Sequence, residues 1–301
     1  MANTGVVPAD SLTGISIAYE TFGDPADAPI LLVMGLGGQL LGWREGFCTA
    51  LVDRGHFVIR YDNRDVGLST HLQEAPRPDF EAITRGDLSS VSYTLSDVAG
   101  DAVRLLDELG VDAAHVVGVS MGGMVGQTLA VEYPTRVRTL TSIMSTTGDP
   151  TVGESSEAAR AILFGPPSTS RDEAVENNVR ARRVTGSPGY PTHEDELREH
   201  AAQVFDRAFD PDGVARQLAA IFASGDRTPR LAGVTVPTLV IHGAQDPLIG
   251  VSGGRATAAA IGGAELYVID GMGHDLPAAL WPEIVDRISL LVERAEQRVD
   301  H

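Results

Sequence analysis

From residue 15 to residue 145 the apolar positions fall into two alternating rhythms. Ile15–Thr21 roughly alternates apolar and polar residues and predicts an edge strand. Ile30–Met34 is a continuous apolar run that ends in glycines, the pattern of a strand buried on both faces. Phe57–Tyr61, Ala114–Gly118 and Val137–Ser145 predict three more strands. Between them, Glu45–Arg54, Leu95–Leu109 and Gly122–Glu132 have helical spacing. In the second of these, Leu95, Val98, Ala102, Leu105, Leu106 and Leu109 share one face behind a Thr94–Asp97 capping pattern.

The rhythm breaks over residues 146–231. This stretch has no buried-strand signal and reads as four polar helices, Glu157–Leu163, Asp172–Val184, His193–Ala208 and Pro211–Ala223, separated by Gly/Pro/Ser breaks. Alternation then resumes with strands Val236–Gly243 and Glu265–Ile269 and helices Gly254–Ile261 and Pro282–Arg298. Strands separated by helices imply an α/β fold with a mostly parallel sheet covered on both faces. The predicted organisation is a core of residues 1–145 and 232–301, with 146–231 as a helical cap over the C-terminal edge of the sheet, where open α/β sheets bind ligands.

Composition narrows the chemistry. The 301 residues carry 23 basic and 41 acidic side chains, a net charge of −18. Every basic residue is arginine, so Schiff-base, Walker-type and Ser–Lys lysine chemistry is excluded. The negative balance disfavours nucleic acid and anionic membrane surfaces. Cys48 is the only cysteine, which excludes an intrachain disulfide, and its helix-like setting predicts a buried structural thiol. Met1–Gly14 has neither basic residues nor a long apolar run, so a cytoplasmic chain without signal peptide or transmembrane segment is expected. No clustered His/Cys/carboxylate spacing suggests a metal, and neither a metal nor another cofactor is expected.

The strongest chemical signal is Gly118-Val119-Ser120-Met121-Gly122, a G-x-S-x-G placed between a buried strand and a helix. A serine in such a sharp turn is exposed above the sheet, and side chains at Gly118 or Gly122 would strike neighbouring backbone. The helix that follows aims free N–H groups and its positive end at developing negative charge. The alternative is a glycine-rich turn with an incidental serine, which the strand–turn–helix context disfavours.

A serine nucleophile needs a base and an orienting acid, which follow it in that order as acid, then histidine. His274 lies in a glycine loop directly after the last strand and is preferred as the base to His242, which ends the preceding strand; His301 is the chain end. Asp246 follows the Val236–Gly243 strand and is preferred as the acid to Asp149. Asp270 and Asp275 stand too close to His274 in sequence, though Asp275 could cap the final helix. Gly35-Leu36-Gly37-Gly38 supplies a loop whose Leu36 N–H, with that of Met121, would form an oxyanion hole. A phosphate-binding G-x-G-x-x-G fits less well, because Leu40 occupies the third glycine position. In Asp62-Asn63-Arg64-Asp65, Arg64 is expected to pair with the neighbouring aspartates and fix the loop.

With these segments in view, the chain resembles the α/β-hydrolase superfamily over essentially its whole core. Val33–Gly38, Tyr61–Ser69, Gly118–Gly122, His242–Asp246 and Gly271–His274 carry the resemblance. The phrase Thr21–Asp27 and the Met34-Gly35 form of the oxyanion loop look most like lipase/esterase-type actinobacterial hydrolases and their relative aclacinomycin methylesterase. The resemblance implies a Ser–Asp–His triad on Ser120, Asp246 and His274, and a helical cap. Many relatives have His-Gly where this chain has Met34-Gly35, so a histidine side chain is missing beside Leu36. The expected function is a carboxylic ester hydrolase working on a small-molecule ester through an acyl-enzyme. The alternatives are a methylesterase tailoring a polyketide-like natural product and a non-catalytic ligand-binding relative.

Overall fold

The computed structural model describes residues 2–299, so the expected core boundary at 301, and His301 with it, lies outside the described residues. The elements run β1 (Asn3–Val7), β2 (Ile17–Phe22), β3 (Ala28–Val33), α1 (Glu45–Val52), β4 (His56–Tyr61), α2 (Phe80–Thr84), α3 (Leu95–Glu108), β5 (Ala114–Val119), α4 (Met121–Glu132) and β6 (Val137–Ile143). Five helices follow, α5 (Glu157–Leu163), α6 (Arg171–Thr185), α7 (Glu194–Arg207), α8 (Pro211–Ser224) and α9 (Thr228–Leu231). The chain closes with β7 (Thr238–Gly243), α10 (Ser252–Ala260), β8 (Glu265–Ile269) and α11 (Trp281–Val299).

The strands form one eight-stranded sheet in the order β1-β2-β4-β3-β5-β6-β7-β8. β1–β2 and β2–β4 pair antiparallel and every other pair is parallel. Period-two alternation explains the two cores. Leu31 and Val33 of β3 face α3 and α4, where they join Leu95, Val98, Leu105, Val125 and Leu129. Ile30 and Leu32 face the other way, with Phe47 and Leu51 of α1 and Ile284 and Ile288 of α11. Both faces are therefore covered, which is why β3 reads as an unbroken apolar run from Ile30, while the polar residues inside β4 and β5, Arg60 and His115, are buried with partners.

Two expectations change here. Ile15–Thr21 is not the sheet edge: β1 pairs outside it, Val7 opposite Ile17. β1 escapes a pattern search because only Val7 of its five residues is buried. Arg64 does not pair with its aspartate neighbours. Its Nε donates to Asp101 Oδ2 on α3 at 2.6 Å, with both side chains buried.

The neighbouring aspartates are instead held by the helices between β6 and β7. Asp62 Oδ2 lies 2.7 Å from Arg207 at the end of α7, while Asp62 Oδ1 accepts from Leu40 N–H at 2.7 Å. Asp65, at φ 68°, accepts two hydrogen bonds from Arg216 of α8, at 2.9 and 2.8 Å, and one from the Tyr93 hydroxyl at 2.8 Å. Asp65, His71 and Asp210 bring ligand atoms close enough for a cation, but the Arg216 guanidinium already donates to both carboxylates. Cys48 is buried, and burial pushes its thiol up to about 12 against the opposing pull of Arg60, which makes it inert.

Removing one partner of a buried charge pair strands the other. Arg216→Met should therefore lower the unfolding free energy by about 3–5 kcal/mol in urea titrations. Arg171→Ala, which breaks the exposed pair with Asp206, should leave the midpoint where it is.

Candidate active site

β5 ends at Val119, α4 begins at Met121, and Ser120 makes the whole turn between them. Its backbone sits at φ 55°, ψ −120°, a conformation that costs a non-glycine residue about 1–3 kcal/mol. The turn is fastened by Ser120 N–H donating to Ile143 O at 2.9 Å and by the Ser145 hydroxyl donating to Ser120 O at 2.8 Å. It exists only because the neighbours are glycine. A Cβ on Gly118 would lie 2.1 Å from Gly122 O, and one on Gly122 would lie 2.1 Å from Val33 O.

The Ser120 hydroxyl is 3.0 Å from His274 Nε2, and His274 Nδ1 is 2.7 Å from Asp246 Oδ2. A carboxylate only accepts, so Nδ1 carries the proton and Nε2 is left as an acceptor facing the serine. Asp246 Oδ1 accepts from the Leu248 and Ile249 N–H groups, each at 2.9 Å. Burial resists the charge on Asp246, but His274 and its hydrogen bond, with the nearby His242 ring and the Ile249 N–H, outweigh it. The carboxyl is held well below its ordinary range.

His242 is not against the serine. Its Nε2 donates to Ile249 O at 2.7 Å and lies 3.5 Å from Asp246, behind the carboxylate. Asp149 is spent in a local turn, its Oδ1 accepting from the Thr151 N–H and hydroxyl. Asp270 is exposed. Asp275 does not cap the final helix, which starts six residues on at Trp281; it accepts a hydrogen bond from Ser187.

Met121 and Gly35, the residue before Leu36, adjoin the serine from two elements. Gly35 approaches so closely that its missing Cβ would be 3.1 Å from Ser120 Cβ. Met121 opens α4, so its N–H has no carbonyl one turn back. Among the described residues the Leu36 N–H has no acceptor either.

Residues that pattern reading did not single out hold this constellation. His274 N–H donates to Thr185 O at 2.6 Å, and Gly273 N–H donates to the Ser187 hydroxyl at 2.9 Å. Gln39, buried beside the Gly35–Gly38 loop, donates to Val204 O and Ala208 O at the end of α7. None has a sequence signature, because each acts across more than 80 residues.

A family described as the alpha/beta hydrolase fold matches residues 28–277. The chain belongs to the α/β-hydrolase fold family. This hydrolase is 32% identical over 287 residues to a rhodomycin D methylesterase of Streptomyces sp. strain C5, covering 88% of this chain and 91% of that one. It is 30% identical over 250 residues to 3-oxoadipate enol-lactonase 2 of Acinetobacter baylyi, with 82% of each chain covered. Among solved structures it superposes on a hydrolase from Pseudomonas aeruginosa with a TM-score of 0.70 at 26% identity, over 97% of this hydrolase and 98% of that chain. Among the described residues no helix is long and apolar enough to cross a membrane.

Two outcomes test this geometry. Gly122→Ala should abolish soluble expression or collapse the thermal transition, since the added methyl meets fixed backbone. Asp246, whose folded-state pKa is depressed, contributes stability that is fully present above about pH 4 and lost as the pH falls. The gap in unfolding free energy between wild type and Asp246→Asn should therefore narrow on acidification below that point, as followed by urea titration at each pH.

Proposed function

We propose that this hydrolase cleaves carboxylic esters through an acyl-enzyme on Ser120. The observation that carries the reading is the unbroken relay Ser120 Oγ–His274 Nε2 at 3.0 Å and His274 Nδ1–Asp246 Oδ2 at 2.7 Å, on a serine held at positive φ. His274 takes the hydroxyl proton as Ser120 attacks the ester carbonyl. The Leu36 and Met121 N–H groups receive the oxyanion. His274 then gives its proton to the departing alcohol and later draws one from the water that releases the acid. Asp246 keeps the required tautomer and balances the imidazolium.

A methyl ester of a polyketide-like natural product is the second reading, favoured by the likeness to rhodomycin D methylesterase. Under either reading, residues 146–231 act as a cap that selects the acyl group, with uncharged or weakly polar acyl chains of short to medium length preferred. Phe164 and Phe222, half-exposed and stacked on each other, offer apolar surface there.

Ser120→Ala should abolish turnover of nitrophenyl esters while the melting transition persists, and a fluorophosphonate should label wild type at Ser120 alone. Labelling at another serine sinks the assignment. Asp246→Asn should cost on the order of 10⁴-fold in kcat, as loss of the orienting acid does in a well-studied triad, and Asp149→Asn almost nothing. Exchanging residues 146–231 for those of a relative should shift chain-length preference; an unchanged preference removes the cap's selective role.

A further inference from the structure

The loop that presents the Leu36 N–H does not hold its own shape. Gly35–Gly38 closes as a tight turn, Gly38 N–H donating to Gly35 O at 3.0 Å, with Gly37 at φ 66°. The remaining N–H of the turn, on Gly37, donates to Gln217 Oε1 at 2.9 Å, 180 residues further along the chain on α8. The other end of the same amide is also committed, Gln217 Nε2 donating to Arg64 O at 2.7 Å. The Gln217 side chain is fully buried, so water does not compete for either bond. One turn earlier on α8, Val214 packs where a Gly37 side chain would stand, at 3.1 Å.

Leu36 therefore lies between two fixed peptides. On one side Gly35 is wedged against Ser120. On the other, the peptide joining Leu36 to Gly37 is tied to Gln217. The Leu36 N–H cannot swing without breaking the turn or dragging that amide. We propose that Gln217 is the positioning residue of the oxyanion hole, fixing the Leu36 N–H through Gly37 and Arg64. The inference rests on the ester-hydrolase reading above. It makes α8 part of the apparatus that stabilises the transition state, in addition to any contact with substrate. Donors aimed in advance at developing charge do most when they need not reorganise, and a small misplacement costs far more than the bond that caused it.

Wild type, Gln217→Met and Gln217→Glu should be compared by kcat and KM on a nitrophenyl ester and by Ki for a trifluoromethyl ketone, whose serine adduct places an oxyanion in the hole. Gln217→Met should lower kcat about 10- to 100-fold with KM unchanged, and Ki should rise by the factor lost in kcat/KM. A residue that merely packs α8 would not produce that matched loss. Gln217→Glu keeps the acceptor for Gly37 and, while protonated, the donor for Arg64; burial favours that protonated form. Its activity relative to wild type at the same pH should be highest at the acidic end and fall as the carboxyl ionises. An unchanged Ki, or a loss confined to KM, overturns the proposal. If Gln217→Met fails to fold, a flat pH ratio for Gln217→Glu overturns it instead. No turnover by wild type would overturn the ester-hydrolase reading and this inference together, whereas an active wild type with unaffected variants overturns the inference alone.

Discussion

Ser120 occupies a backbone conformation that side-chain-bearing residues avoid, and its surroundings follow from keeping it there. Four hydrogen bonds converge on its peptide groups: Ser120 N–H donates to Ile143 O, and Ser120 O accepts from the Ser145 hydroxyl and from the Gly123 and Met124 N–H groups, while its side chain meets His274. The turn needs empty volume as much as bonds. Val33 O lies where a Gly122 side chain would be, so the end of β3 must pass directly beneath the start of α4. That crossing in turn delivers the Gly35–Gly38 loop to the serine. One strained residue thus dictates the spacing of β3, β5 and β6 and the place of the loop that follows β3.

Loops placed so closely still have to be kept from relaxing, and the helices between β6 and β7 do this with polar groups. Arg207 and Arg216 neutralise Asp62 and Asp65 below the site, Gln39 ties the first loop to the end of α7, and Thr185 and Ser187 hold the loop of His274. Buried ion pairs gain little net stability over apolar packing, because desolvation offsets the attraction. Their effect here is directional: each fixes a loop in one conformation where an apolar contact would tolerate sliding.

The sheet from Ile17 onward and every long helix were legible in the sequence, because two-sided burial leaves unbroken apolar runs and one-sided burial leaves a 3.6-residue stripe. The turn at Ser120 was legible for a different reason: its glycines are demanded by sterics within five residues. β1 was not legible, since four of its five residues are not buried, and α2, at five residues, is too short for a stripe. The partner of Arg64 was misjudged because nearness in sequence favoured Asp62 and Asp65, while the fold supplies Asp101, Arg207 and Arg216 from 37 to more than 150 residues away. Gln217 and Ser187 were invisible for the same reason: an amide or a hydroxyl in a helix or turn says nothing of the loop it will meet.

The supports divide the site into two halves that different helices control. The serine and its neighbouring N–H donors depend on β3, β5 and α8. The histidine depends on β8 and the end of α6, where Gly186 O and Thr185 O lie where a Gly273 side chain would stand and Gly189 presses on Gly271. A shift of α6 relative to α8 would move His274 relative to the Gly35–Gly38 loop without disturbing either half internally. Hydrogen-bond geometry between Ser120 and His274 is the joint between them, and it is the contact most sensitive to such a shift. Substitutions where α6 and α8 meet these loops therefore act on that contact as well. The outer surfaces of α6 and α7 carry exposed pairs such as Arg171–Asp206 and Arg198–Glu176, which touch neither half. Sequence there is free to drift, whereas inward positions such as Thr185 and Gln217 must satisfy the loops they bond.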